Sequence, residues 1–383
     1  MQQQPPPVVR ILPGIRGADK LLWSDALSTP TPTPATPASL VLFFGGDRLD
    51  DPTAHPDVHR LQSPAEVARL LRARFGPGAT LVQVVPSRHE AGFACFDHFL
   101  GPATLSGEPL GYGARVPEGG DGDPGAIAAG LPALAQLASL LAAPAGGWPP
   151  PGGHPPTQRW AGGSPPWPPT HLVAFSKGGA VLNQALAELA ALAAAAGGGR
   201  AAPAAWSRQA TTALASRVAS LAASARSLLY VDVGLNGRGA YACPPEVGCL
   251  GGRSPPDGPP SVVLYGTRRQ WPPGGPQAAE RDRMVSGLRG GGLVVEVVAC
   301  GAAEPKVSLA MHFRCLEEAL LGGGSGGGDV KKGGRGGRGD DPHSRRGAPA
   351  GHGRPRLGGY RSSPPPPPPP ETTNEQNKTK NAA

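Results

Sequence analysis

The alternation of short apolar runs with helix-like stretches constrains this 383-residue chain more than any other feature. "SLVLFFGGD" (39–47) is a continuous apolar run closed by two glycines, the pattern of a strand buried on both faces of a parallel sheet. "SPAEVARLLRARFG" follows, with Ser63 at an N-cap position, Pro64 at the first helical position, Glu66 completing a capping box and Gly76 as the stop. "ATLVQVV" (79–85) is a second buried strand, so the three segments make a βαβ unit. Four more strands are expected at "THLVAF", "SLLYVDV" (227–233), "SVVLYG" (261–266) and "LVVEVVAC" (293–300). Helices are expected over 126–143 with a break near Pro132, from about Gly178 to Ala196, from Ser207, around 277–288, and from His312 to Leu321. This order predicts an α/β fold: a mostly parallel sheet with helices on both faces.

Composition sets the limits of that domain. The chain holds 58 Gly and 49 Pro, about 28 % together, a proportion typical of low-complexity chains. They crowd into 30–37, 144–169, 243–260 and everything after Leu321, which leaves the Val-, Leu- and Ala-rich segments to fold. The expected organisation is a disordered N-terminal segment (1–38), a folded domain (39–321) with Pro/Gly-rich insertions near 144–169 and 243–260, and a disordered Gly/Arg/Pro tail (322–383). The N-terminal segment has Arg10 and Arg16 and no acidic residue before Asp19, which is compatible with a weak organelle transit peptide but leaves the compartment undecided.

The formal charge of +8 suggests nucleic acid until it is located. Residues 322–383 carry eleven Lys/Arg and five Asp/Glu, +6 of that total, so the basic excess belongs to the tail and not to a folded surface. An arginine tail of this kind more often only solvates, and the Arg338–Asp340 triplet and the sequon at Asn377 take the same discount. No apolar run reaches the ~18 residues of a membrane span. Five cysteines without a C-x-x-C pair read as free thiols rather than a disulfide framework or zinc site. No cofactor and no metal is implied. His89, Cys95, Asp97 and His98 in "SRHEAGFACFDHF" match no zinc or iron spacing, so they are expected to wall a pocket or pack.

The chemistry is concentrated at "VAFSKGG". Ala174, Phe175, Ser176, Lys177 and Gly178 approximate the small-x-Ser-x-Gly turn that presents a nucleophilic serine between a strand and a helix, with Ala174 in place of the first glycine. Alone, the match is weak; its place between a buried strand and an Ala-rich helix strengthens it. A serine needs a base and an orienting acid, which follow it in that order along the chain. His312 opens the closing helix, whereas His343 and His352 lie in the tail, so His312 is the candidate base. Asp232 stands at the carboxyl end of its strand, where sites gather in open α/β sheets, and is preferred over Asp282, which is expected on an exposed helix. The backbone at Gly46 and Lys177 would supply oxyanion donors. The Lys177 side chain is read first as a solvated lysine at a helix start, and second as a selector of anionic substrates.

Several blocks together resemble the animal and plant family named for chromosome-two open reading frame sixty-nine. They are "VLFFGGD", "ARLLRARF", "VVPSRHEAGFACFDHFLGP", "HLVAFSKGGAVLNQAL", "LLYVDVGLNG" and "HFRCLEEAL", and together they span roughly 39–320. The resemblance implies an α/β-hydrolase-like fold, a mitochondrial location (cytoplasm being the alternative), and Ser176, Asp232 and His312 as a triad. It implies no substrate. Residues after the family's acid are commonly glycine and histidine, whereas here Val233, Gly234 and Leu235 follow. The expected function is a serine hydrolase acting on an ester, thioester or amide. The rival is a non-catalytic binding or scaffold protein of the mitochondrion on the same fold, and a weaker third reading gives the tail a role on RNA.

Overall fold

A computed structural model describes residues 8–24, 39–48, 55–116, 124–142, 167–195, 213–252, 258–301 and 306–322. The strands in chain order are β1 (Val8–Gly14), β2 (Gly17–Ser24), β3 (Leu40–Phe44), β4 (Thr80–Val84), β5 (Arg88–Glu90), β6 (Phe93–Cys95), β7 (Thr170–Phe175), β8 (Ala225–Val231), β9 (Ser261–Gly266) and β10 (Val295–Ala299). Eight form one sheet in the order β1-β2-β4-β3-β7-β8-β9-β10, and β5 pairs with β6 as a small hairpin. From β4 to β10 every pairing is parallel, while the β1–β2 hairpin adds antiparallel to β4.

The central strand β3 is apolar and buried at every position because both of its faces are covered. On β3, Leu40, Leu42 and Phe44 enter the core under the helices Pro124–Gly130, Pro132–Ala142, Gly179–Ala195, Ala213–Ser224 and Pro276–Gly290. Val41 and Phe43 enter the opposite core, under Pro56–Leu61, Pro64–Phe75 and Leu309–Leu321. The two-residue period of the strand thus divides one sequence between two cores.

The chain turns outward in both directions from the middle of the sheet: β4 lies on one side of β3, and β7 on the other. The reversal opens a crevice beyond the carboxyl ends of β3 and β7, the place where open α/β sheets bind ligands. Gly46 leaves β3 there, and Ser176 leaves β7 there.

Several expectations need correction. Residues 8–24, placed in a disordered segment, form the β1–β2 hairpin: Leu12, Leu21 and Trp23 alternate into the core and supply the burial that an edge hairpin requires. Ser63 makes no side-chain cap, because Glu66 turns away to pair with Arg69 (2.8 Å) and Arg60 instead of closing a capping box. Pro64 at the helix start and Gly76 at its end (φ +90°) stand where expected. Ser176–Ala195 is long and apolar enough to cross a membrane by length and composition; in this fold it is a core helix, 83 % of its most apolar window being buried. The break near Pro132 separates two helices. The Ser207 cap, most of the 144–169 insertion and the tail from 323 on lie outside the described residues.

Candidate active site

Ser176 follows β7 directly and has φ of +53°, a left-handed conformation that costs a non-glycine residue free energy and is concentrated at functional turns. The turn is tight enough to dictate its neighbours. A methyl group at Gly178 would lie 2.3 Å from the Phe44 carbonyl oxygen, and one at Gly46 would lie 2.3 Å from Ser176 Cβ. Only glycine fits at either position. Ala174 is fully buried between Phe44 on β3 and Tyr230 on β8, where a small residue suffices.

Asp232 follows β8 and also has positive φ, +45°. Its N–H donates to the Tyr265 carbonyl at 2.7 Å, which extends the β8–β9 ladder by one bond and fixes the carboxylate at the sheet end. The carboxylate is fully buried and fully engaged. Oδ1 accepts from the Thr267 N–H at 2.6 Å; Oδ2 accepts from the Thr267 hydroxyl at 3.0 Å and lies 2.7 Å from His312 Nδ1. Because a carboxylate only accepts, Nδ1 carries the proton and Nε2 keeps its lone pair. His312 sits in the first turn of Leu309–Leu321, whose N-cap Ser308 accepts from Met311 N–H at 3.1 Å. The Phe175 ring stacks on the imidazole at a centroid distance of 4.5 Å, so the residue before the serine packs against the base.

The structure therefore brings Asp232 and His312 into direct contact and places Ser176 one residue from the ring that packs on His312. Ser176 and His312 are not hydrogen-bonded to each other; such bonds are often long before substrate binds. Each is 5 % exposed.

Lys177 departs from its expected solvated state. It is 1 % exposed, its Nζ donates to the Ser106 carbonyl, lies 3.9 Å from Glu108 Oε1 and sits 4.7 Å from the centre of the Phe93 ring. Partners on three sides offset the cost of removing an ammonium from water. Glu108 in turn accepts from the N–H groups of Asn236 (2.6 Å) and Gly237 (3.1 Å), in the loop after Asp232. The segment 101–116 is thus a strap that ties the turn at Ser176–Lys177 to the loop after Asp232, and Tyr112 secures it further by donating to the Gly239 carbonyl at 2.9 Å.

Most of the "SRHEAGFACFDHF" residues pack, while His89 is exposed and lines a cavity beside β3 and β4. Asp97 pairs with Arg88 (2.9 Å), His98 Nδ1 meets the buried Asp19 (2.9 Å), and Cys95, Phe96 and Phe99 are buried. All five cysteines are free. No group of three or more His, Cys, Asp or Glu with metal-binding geometry occurs among the described residues. Asp282 lies exposed on its helix beside Arg281. One residue bonded to Asp232 escaped sequence reasoning. Thr267 follows a strand with no carboxylate at its end, and a search limited to acids passes over it. Asp47, one residue past Gly46, accepts from Ala94 N–H at 2.8 Å, and burial raises its carboxyl above the usual range against the opposing pull of that bond and of Lys177, His312 and His89.

The fold is a mostly parallel α/β sheet covered by helices on both faces, with Ser176 at the turn after β7, Asp232 after β8 and His312 on Leu309–Leu321. No protein-family model and no curated protein matches the chain. Among solved structures it is similar to an α/β serine hydrolase without a lid from Xanthomonas campestris, at 14 % identity over 84 % of this chain and 96 % of that one, with a TM-score of 0.34. It is also similar to a carboxylesterase from Bacillus cereus (10 % identity, 80 % of this chain, 94 % of that one, TM-score 0.34). A third is the acylaminoacyl peptidase of Pyrococcus horikoshii (7 % identity, 84 % of this chain, 41 % of that one, TM-score 0.38).

Proposed function

We propose that the protein is a serine hydrolase acting on an ester, thioester or amide. The observation that carries the reading is the 2.7 Å bond from His312 Nδ1 to a carboxylate with no other role than to accept it and the two Thr267 donors. A buried Asp–His pair oriented in this way, beside a serine held at φ +53°, has the chemistry of a nucleophile and its base. Ser176 Oγ attacks the carbonyl carbon while His312 Nε2 takes the hydroxyl proton. Asp232 holds the tautomer and stabilises the imidazolium. The backbone N–H groups of Gly46 and Lys177 receive the negative oxygen of the tetrahedral intermediate. His312 then returns the proton to the departing alcohol, thiol or amine, leaving an acyl-serine, and water activated by the same imidazole releases the acid.

Hydrolysis of p-nitrophenyl esters of increasing chain length tests this. Wild-type turnover should fall roughly 10³-fold or more in Ser176→Ala and His312→Ala, and roughly 10⁴-fold in Asp232→Asn, which presents the wrong tautomer partner. Turnover that persists in a folded Ser176→Ala protein would contradict the reading. The resemblance to the family named for chromosome-two open reading frame sixty-nine supports a mitochondrial location as part of this proposal. Fractionation of cells expressing the full chain, with recovery in the mitochondrial or the cytosolic fraction, decides it.

A further inference from the structure

A cavity of about 490 Å³, within the ~300–1,000 Å³ span of small-molecule sites, opens beside the triad on the carboxyl side of β3 and β4. Neither Ser176 nor His312 lines it, but Gly46 and Phe175, the residues in contact with them, do. Its depth is apolar: Leu61, Val67, Phe313 and Leu316 are all buried and all line it. Its remaining wall is polar and carries two cations, Lys20 and Arg48, beside Gln62, Ser63 and Gln83. Lys20, Arg48, His59 and His89 line the cavity and are exposed, against the single carboxylate of Asp47, which is tied to the Ala94 N–H. Lys177, the cation nearest the serine in sequence, is committed to the strap and does not line this cavity.

We propose that this cavity binds the acyl part of the substrate, and that the substrate is an acyl compound whose chain ends, away from the reacting carbonyl, in a carboxylate or another anion. The proposal rests on the hydrolase reading. The carbonyl lies at Gly46, the chain runs over the apolar floor, and the anion reaches the rim at Lys20 and Arg48. Lys20 is held at that rim by the sheet, since the Val85 N–H donates to its carbonyl at 3.0 Å just past the end of β4. Exposed cations of this kind act over roughly a Debye length, so the preference is sensitive to salt.

Two matched esters test it: mono-p-nitrophenyl adipate, with a terminal carboxylate, and p-nitrophenyl hexanoate, in which a methyl replaces it. The expected result is a kcat/KM at least about tenfold higher for the adipate ester at low ionic strength, narrowing in 1 M sodium chloride. The double variant Lys20→Glu/Arg48→Glu should lose that preference, the ratio of adipate to hexanoate kcat/KM falling to about one or below. Equal rates for the two esters, or a preference indifferent to the double variant, overturns the proposal. If neither ester is turned over, the hydrolase reading fails first, and titration calorimetry of monomethyl adipate into the wild-type protein then decides the cavity separately. Binding that is lost in Lys20→Glu/Arg48→Glu keeps the anion site; no binding to wild type ends it.

Discussion

Thr267 donates to both oxygens of Asp232 through two different groups, and only its hydroxyl can be removed by mutation. Thr267→Val leaves a buried carboxylate short of one charge-assisted bond, at a cost on the order of 1–3 kcal/mol. The expected outcome is a tenfold or larger fall in kcat/KM for ester hydrolysis with a displaced acidic limb of the pH profile, and recovery in Thr267→Ser; a purely structural role would leave the profile in place. Gly46→Ala should lower both stability and activity, since the added methyl meets Ser176 Cβ and comes within 3.2 Å of the Phe175 carbonyl. Thermal unfolding together with ester turnover measures the two effects. Gly46 and Gly178 were legible in the sequence because close backbone approach has a residue signature, whereas a side chain at Gly45 would meet only the Phe43 ring at 3.7 Å. Thr267 was not: a hydroxyl at a strand end has many local uses, and its partner lies 35 positions away in the chain. Lys177 was misread because a lysine at a helix start is ordinarily solvated, and the turn that buries it, Ser106–Glu108, is distant in sequence.

At the scale of elements, Leu309–Leu321 carries His312, the proposed base, and depends on its first turn. Ser308→Ala removes the side-chain cap and should cost about 1 kcal/mol, read as a lower urea midpoint with unchanged m-value. The β7–β8 pair contributes a pH dependence. Burial foremost, and then Arg226 and Arg74, lower the His171 imidazole to about 4 from 6.5, while its Nδ1 meets the Ser227 hydroxyl at 2.7 Å. An unfolded chain takes up that proton near pH 6.5 and the folded one does not until about 4, so the stability this site confers is intact above 6.5 and declines as pH falls towards 4. Denaturation midpoints at pH 7.5 and 5 should differ by roughly 1–2 kcal/mol more in wild type than in His171→Phe. Strands β3, β4, β7, β8 and β9 were readable because a doubly covered parallel strand is rich in consecutive apolar residues, as in Leu40–Phe44, Leu172–Phe175 and Leu228–Val231. The β1–β2 hairpin was missed because its apolar residues alternate with Arg10, Asp19 and Lys20, and Pro13 and two glycines surround the turn. Its burial comes from β4 and from Pro132–Ala142, elements far along the chain.

The whole molecule joins these scales through one topological fact: the sheet order reverses between β3 and β7, so the carboxyl ends of both strands face one crevice. That reversal brings Gly46 against Ser176 across more than a hundred residues and lets the strap from 101–116 close over the turn and the loop after Asp232 together. Ser176, Asp232 and His312 could be picked out in the sequence as candidates, but the contacts around them could not, since those are made between segments that share no local pattern. The central claim of the proposal is that Ser176, at the start of its helix, is an activated nucleophile and not an inert serine. Labelling the purified full chain with a fluorophosphonate, followed by mass-spectrometric mapping of the adduct, tests it most directly. The account predicts a single phosphonylated site at Ser176 that is lost in His312→Ala with folding unchanged by circular dichroism. A well-folded wild-type protein that takes no label between pH 6 and 9, or that labels elsewhere, would contradict it.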